Sequence, residues 1–216
     1  LNRVRVGERR YYYFEGRRYP SVTTILKLGL PKSIELELWE LYLGSEASEI
    51  KDKRSFIGAL AHYRLACKMA AKRGLPMPEL QINKTREIDS EVTQILNSIA
   101  RKCDEWIELF KPMAIKVEQV VVNRELGYAG TIDLLVKLLD KLFLIDFKTS
   151  RAIYPEHFAQ VAAYINCFTE HLNAAILRTN EESAEFKILS ESELISGFEL
   201  FLKAKENYDE IYSGGW

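Results

Sequence analysis

Apolar positions along this chain switch between two periods, and the switches mark its elements. From 90 to 110, Val92, Ile95, Leu96, Ile99, Cys103, Trp106, Ile107 and Phe110 recur at three- and four-residue steps, the signature of an amphipathic helix. Pro112 closes it. Upstream, Ser21 is placed to cap a short helix over VTTILKL, which Gly29-Leu30-Pro31 stops. A second helix is expected from about Ser33 to Gly44 (IELELWELYL), with Trp39 and its leucines in the core. A third runs from about Arg54 to Arg73, after which Gly74 to Pro78 opens a loop of about ten residues. Residues 114–122 and 128–138 read as two strands, and Leu139-Asp140-Lys141 turns the second into a third that carries Asp146 and Lys148; turns this short make them antiparallel neighbours. Pro155 starts a helix, residues 174–178 and 185–189 add two strands, and Ser190 with Glu193 forms a capping box for a last helix to about Tyr212. Glu15-Gly16, between RRYYYF and RRY, predicts an N-terminal hairpin. The pattern predicts an α/β protein of the α+β type, a central mixed sheet flanked by helices. It reads as one domain with a basic aromatic hairpin and short helix (1–31), a helical section (32–111) and a sheet section (112–216).

With 216 residues, 47% of them apolar and 28% charged, the chain has an ordinary globular composition and enough length for a real core. No apolar run reaches the length of a membrane span, and no signal peptide is visible. The chain opens on Leu1 rather than methionine, so a few residues are expected to precede it. Cys67, Cys103 and Cys167 are too few and too scattered for a disulfide framework, which implies buried thiols in a reduced, cytoplasmic setting.

A net charge of −1 argues against binding nucleic acid through a global field, but it leaves room for a local patch. Residues 1–20 supply one: six arginines against two glutamates, interleaved with Tyr11, Tyr12, Tyr13, Phe14 and Tyr19. Arginines beside exposed rings are the chemistry of single-strand binding, with bases stacked on rings and guanidinium groups on phosphates. Arg10, Tyr12, Arg17 and Arg18 are the candidates. The equally weighted alternative is a tyrosine-rich hairpin that only packs on the rest of the chain.

The strand section carries misplaced charge. Asp133 interrupts Ile132-Leu134-Leu135-Val136, and Asp146 interrupts Leu142 to Phe147; a carboxylate within a sheet is costly unless paired, protonated or bound to a cation. With Glu118, three acidic residues lie on three successive strands, and alternation sends Asp146 and Lys148 to one face. Oxygen ligands at this density suit Mg²⁺ or Mn²⁺, and a lysine beside them can orient a water and stabilise phosphoryl charge. The plainer readings are an Asp146–Lys148 ion pair and an exposed strand glutamate at 118. Gln160 and Tyr164 sit one turn apart and make a single polar spot on their helix. His62 shares a face with Gly58 among small residues, and by itself it reads as a core histidine.

Taken jointly and in order, these segments resemble the RecB-like branch of the PD-(D/E)xK nucleases. Gly58-Ala-Leu-Ala-His62 matches its G-x-x-x-H helix, Gly130-Thr-Ile-Asp133 its G-x-x-D strand, Asp146-Phe-Lys148 its D/E-x-K strand, and Gln160-Val-Ala-Ala-Tyr164 its Q-x-x-x-Y helix. The segment Tyr19 to Leu26 also resembles the opening of some mitochondrial genome maintenance and phage-type members. The resemblance implies a restriction-endonuclease-like core. It implies a cation held by His62, Asp133, Asp146 and the carbonyl of Phe147, with Lys148 acting in catalysis and Gln160 and Tyr164 contacting DNA or steadying the site. It thereby recasts His62 as a ligand, and an imidazole among oxygens tilts the preference modestly toward Mn²⁺. Relatives with an iron–sulfur cluster carry four cysteines; three are present here, wrongly placed, so no iron–sulfur cluster is expected.

The expected activity is that of a metal-dependent deoxyribonuclease, an exonuclease on single-stranded DNA ends in replication, recombination or repair. The alternatives are a structure-specific flap or branch endonuclease and a catalytically silent nucleic-acid-binding subunit. No helicase P-loop is present, so unwinding would fall to a helicase or another replication or recombination partner. Oligomeric assembly is left open, and no membrane partner is expected.

Overall fold

The computed structural model describes residues 2–7, 9–80, 82 and 87–212. In order the elements are β1 (Asn2–Val6), β2 (Arg9–Phe14), β3 (Arg17–Pro20), α1 (Val22–Gly29), α2 (Ile34–Leu43), α3 (Ser45–Ala71), α4 (Ser90–Phe110), β4 (Met113–Asn123), β5 (Tyr128–Leu138), β6 (Lys141–Lys148), α5 (Pro155–Ile165), β7 (Asn173–Thr179), β8 (Ala184–Ile188) and α6 (Glu191–Tyr212). Part of the loop expected after Gly74 lies outside the described residues. No helix of the described residues is long and apolar enough to cross a membrane.

The expected central mixed sheet has the order β4-β5-β6-β7-β8. Its pairs are antiparallel except β6 with β7. That parallel pair needs a crossover, and α5 supplies it. Helices cover both faces. Leu134, Val136, Phe143, Ile145 and Phe147 pack on one face with residues of α3 and α4, including Ile57, Ala61, Ile99 and Trp106. Leu144 and Ile176 pack on the other with Val22 and Ile25 of α1, Ala159 and Tyr164 of α5, and Phe201 of α6.

Local sequence explains most boundaries. Ser21 Oγ accepts from the Thr24 N–H at 3.0 Å and caps α1. The Ser190–Glu193 box is reciprocal: Ser190 N donates to Glu193 Oε2 at 2.8 Å, and Glu193 N to Ser190 Oγ at 3.3 Å. Helix α4 ends with Lys111 in the left-handed region, just before Pro112.

Three expectations need correction. The N-terminal hairpin is a three-stranded antiparallel sheet, because β1 adds to the β2–β3 pair. Helix α3 extends upstream to Ser45, since the polar stretch SEASEIKDKR is a good solvent-facing helix and Gly44 alone breaks it from α2. Helix α2 buries none of its residues; Leu38, Leu41 and Tyr42 are exposed. Its apolar residues Ile34, Leu36 and Leu38 fall at every second position, which distributes them around a helix instead of gathering them on one face.

The N-terminal sheet docks on β5. Ser21 bridges Ala129 in parallel, and Tyr12, fully buried, places its hydroxyl 2.8 Å from Thr131 Oγ1. Residues paired across a sheet share a face. The pairs Arg3–Tyr12 and Arg5–Arg10 therefore put Arg3, Arg5 and Arg10 on the face of Tyr12. Tyr11 and Arg18 occupy the opposite face. The Arg18 guanidinium lies 4.6 Å from the Tyr11 ring centre, and the Tyr11 hydroxyl is 3.4 Å from that of Tyr208 on α6.

Candidate active site

The four segments that carry the family-like motifs meet where β5 and β6 part. Their ladder runs from Leu138–Lys141 to Leu134–Ile145 and stops before Asp133. Beyond that point the Phe147 N–H turns to the Asp133 side chain and donates to Oδ2 at 2.6 Å. The other oxygen, Oδ1, stands 3.2 Å from Nδ1 of His62 on α3. The His62 ring meets Phe147 edge-on, with centroids 4.8 Å apart. Asp133 thus joins α3 to the splayed end of β6.

Asp146 and Lys148 point to the α5 face of the sheet, as alternation requires. Gln160 connects them. Its Nε2 donates to Asp146 Oδ1 at 2.9 Å and to the Tyr164 hydroxyl at 3.2 Å, while its Oε1 accepts from Lys148 Nζ at 3.0 Å. Only this amide orientation presents nitrogen to the carboxylate and oxygen to the ammonium. Lys148 Nζ is also 2.6 Å from Asp146 Oδ2. Asp146 is buried, and this close ion pair holds its second carboxylate oxygen.

The glycine of the G-x-x-D segment and the tyrosine of the Q-x-x-x-Y segment form one contact. A Cβ on Gly130 would stand 2.3 Å from Tyr164 Cε1. Gly130→Ala is expected to cost about 1–3 kcal/mol through overpacking. It also displaces Tyr164 from Gln160, so the thermal unfolding midpoint falls, and adding Tyr164→Ala returns part of the stability. An additive double variant would separate the two motifs.

Glu118 enters the site by an unusual backbone. It lies opposite Asp133 in the β4–β5 register, between the pairs Val117–Leu134 and Gln119–Ile132, and has a φ of 49°. A left-handed non-glycine residue inside a strand costs roughly 1–3 kcal/mol, and such strain concentrates at functional sites. His62, Glu118 and Asp133 each offer a ligand atom within 4.8 Å of the others. Glu118 thus stands with His62 and Asp133 in one close group, whereas Asp146 is tied to Lys148 and Gln160.

The electrostatics follow from burial and neighbours. Burial and the charge of Asp133 push the Glu118 carboxyl up to about 7, and burial pushes Asp146 up to about 6 despite Lys148. Burial would raise Asp133 as well, but His62, Lys148 and the Phe147 N–H outweigh it and hold Asp133 low. Burial opposes protonation of His62, but the charge of Asp133 prevails and raises it. The Tyr164 hydroxyl is driven well above its ordinary range by burial and by Asp146, so it stays a neutral donor and acceptor.

One residue near the site has a structural role that the sequence reading missed. His157, nine-tenths buried in the first turn of α5, accepts the Tyr154 N–H on Nδ1 at 3.2 Å. Burial and the nearby charge of Lys148 press its pKa down to about 3. The unfolded chain takes up this proton near pH 6.5 and the folded one only near 3. The stability contribution of neutral His157 is therefore complete above about pH 6.5 and is lost as pH falls toward 3. His157→Gln is expected to flatten the acid limb of the unfolding midpoint over that window; an unchanged limb refutes the assignment.

The N-terminal candidates separate. Arg10 lies on the face turned toward β5. Tyr12 shares that face but is fully buried and hydrogen-bonded, so it has no ring surface for a base, which corrects the stacking expectation. Arg18 is on the far face over Tyr11, and Arg17 stands exposed beside the turn, opposite Phe14. The packing alternative describes Tyr11, Tyr12 and Tyr19, whereas Tyr13 is exposed.

No protein-family model matches the chain, and no curated protein does. Among solved structures it is similar to a protein designated SSO0001, with a TM-score of 0.30 and 15% identity over 52% of this chain and 64% of that one. It is also similar to a protein provisionally named an exonuclease, from Eubacterium rectale, with a TM-score of 0.44 and 12% identity over 74% of this chain and 66% of that one. The chain thus spans just under two thirds of the length of each.

Proposed function

We propose that this site hydrolyses phosphodiester bonds with a divalent cation, and that the protein is a nuclease acting from single-stranded DNA ends. The carrying observation is the convergence of His62, Glu118, Asp133 and Asp146 around one splayed strand end, with the ammonium of Lys148 beside them. The residues suit a hard cation. They offer carboxylate oxygens and one imidazole, and Glu118 adopts a left-handed backbone opposite Asp133. His62, Glu118 and Asp133 would hold the cation, with Asp146 and its partner Lys148 on the neighbouring strand. A bound cation would polarise the phosphoryl group and lower the pKa of a water.

The chain's own groups do the rest. Lys148, fixed by Gln160 Oε1 and Asp146, presents its ammonium to a phosphoryl oxygen or an attacking water. Tyr164 and Gln160 keep that lysine and Asp146 in register. Asp133, locked by the Phe147 N–H, cannot swing away when His62 gives up its proton.

Because Glu118 and Asp146 hold protons up to about 7 and about 6, a cation must displace them, and its affinity is expected to rise with pH through that range. The stability sign agrees. A carboxyl with a raised folded pKa favours the fold below its unfolded value and forfeits that contribution as pH rises through the folded value. Mn²⁺ should thus raise the unfolding midpoint of EDTA-stripped protein more at pH 8 than at pH 5.5, and His62→Ala should shrink the shift. An equal Mn²⁺ effect at both pH values would refute this ligand set.

The activity itself is tested on DNA labelled separately at its 5′ and 3′ ends, single-stranded and duplex, with Mn²⁺ or Mg²⁺. Progressive shortening from one end of the single strand is the expected result. Internal cuts at flaps or branches would replace the exonuclease reading, and intact DNA under all metals would overturn the nuclease reading.

A further inference from the structure

The N-terminal sheet sets two guanidinium groups against the acidic centre. Arg3 pairs with Tyr12 across β1–β2, and Arg10 lies two residues before Tyr12 on β2, so all three side chains share a face. Tyr12 pins that face to β5 through Thr131 Oγ1 at 2.8 Å. Thr131 precedes Asp133 by two positions and projects to the same side of the strand. Arg3 and Arg10 are each half-buried, and among the described residues neither makes an ion pair. Their charges reach Glu118, where they oppose the upward push of burial, and that of Arg10 also reaches Tyr164. Two half-buried arginines that make no ion pair among the described residues, held beside a group of carboxylates, are arranged for an anion that spans the gap between them.

We propose that Arg3 and Arg10 form a phosphate clamp that grips the backbone of a single-stranded nucleic acid next to the phosphodiester at the acidic centre. The proposal deepens the nuclease reading and rests on it. Guanidinium groups suit this task because their planar forks meet phosphate oxygens in pairs and stay charged at any working pH. The clamp reads phosphate and leaves the bases free, so the buried tyrosines serve as its footing. Placed beside carboxylates that would repel a bare polyanion, it compensates that repulsion where the strand enters.

The test is binding of a fluorescent oligothymidylate to the full chain in EDTA over a salt series, with cleavage in Mn²⁺ followed in parallel. The double variant Arg3→Gln/Arg10→Gln is expected to weaken binding roughly tenfold or more. The slope of log Kd against log salt should flatten by about 0.7 for each phosphate no longer gripped. Arg101→Gln, on the exposed face of α4, serves as the control and leaves both unchanged. A strand of the same length carrying abasic sites should bind the wild type comparably and show the same loss in the double variant. Arg3→Lys/Arg10→Lys keeps the charge and should retain the slope while losing part of the affinity; a matching unfolding midpoint for all variants excludes misfolding. Unchanged affinity and slope in the glutamine variant, no binding by the wild type, or a loss confined to the base-bearing strand would each overturn the clamp. Wild type that binds through these arginines but cleaves under no metal overturns the nuclease reading and supports the clamp as a binding site. Wild type that cleaves with the same KM as the glutamine variant overturns the clamp alone.

Discussion

Asp146→Asn is expected to lower metal-dependent cleavage by about a thousandfold, near 4 kcal/mol of transition-state stabilisation, while the protein stays folded. The asparagine is nearly isosteric and still offers Oδ1 to Gln160, whose amide donates there at 2.9 Å. What disappears is the carboxylate charge, including that on Oδ2, which is paired with Lys148 at 2.6 Å. The stability effect has the opposite sign to the catalytic one. Burial raises the Asp146 carboxyl to about 6, so its ionisation above that pH works against the fold. The variant should therefore unfold at or above the wild-type temperature at pH 8, with the gap closing as pH drops below 6. Single-turnover cleavage of end-labelled DNA and thermal unfolding at two pH values read the two effects separately. Substantial residual cleavage by a folded variant would remove Asp146 from the reaction; a collapse of stability at pH 8 would mean that its charge is structural.

The largest stability loss is expected far from the chemistry, at Gly29. A Cβ there would stand 1.9 Å from the carbonyl oxygen of Ala204 and 2.7 Å from its carbonyl carbon. Both partners are main chain, so neither can give way by rotating a side chain. Nor can the helices part cheaply. Val22, Ile25, Phe201 and Ala204 are fully buried around the contact, and Asn207 Nδ2 holds the Gly29 carbonyl at 2.8 Å. Gly29→Ala should cost roughly 3 kcal/mol or more, a drop in the unfolding midpoint on the order of 10 °C for a chain of this size. Gly58→Ala is the contrast. Its added Cβ would meet only the Thr149 hydroxyl, at 3.0 Å, a group that can turn aside. If the two variants melt alike, the α1–α6 contact is looser than these distances say.

What could be read ahead of the structure follows from the range of the forces involved. Elements set by local periodicity, such as α4 and the β4–β5–β6 meander, were legible because the pattern and the turn residues act over a few positions. Asp146 and Lys148 were legible as a pair for the same reason. The adjacency of Glu118 and Asp133 was half legible: consecutive strands imply neighbours, but the left-handed backbone at Glu118 depends on the register and has no signal in QVVV or KVEQ. The role of Arg3 was hidden because it depends on which face of a three-stranded sheet meets β5, and Tyr12 decides that through a partner 119 residues away. The exposed apolar residues of α2 misled for a physical reason: alternate spacing suits a strand, and helix formers such as Leu and Glu overrode it.

The tie between Tyr11 and Tyr208 spans 197 positions, and that between Gly29 and Asn207 spans 178. The face of the N-terminal sheet that carries Tyr11 therefore gains its contact with α6 only once residue 208 is present, whereas the face that carries Tyr12 needs only β5. Until then the arginine-bearing sheet lacks its footing against α6. Closing so long a loop is entropically slow. The contacts of the N-terminal sheet with α6 thus form late, after the local elements on both sides are in place.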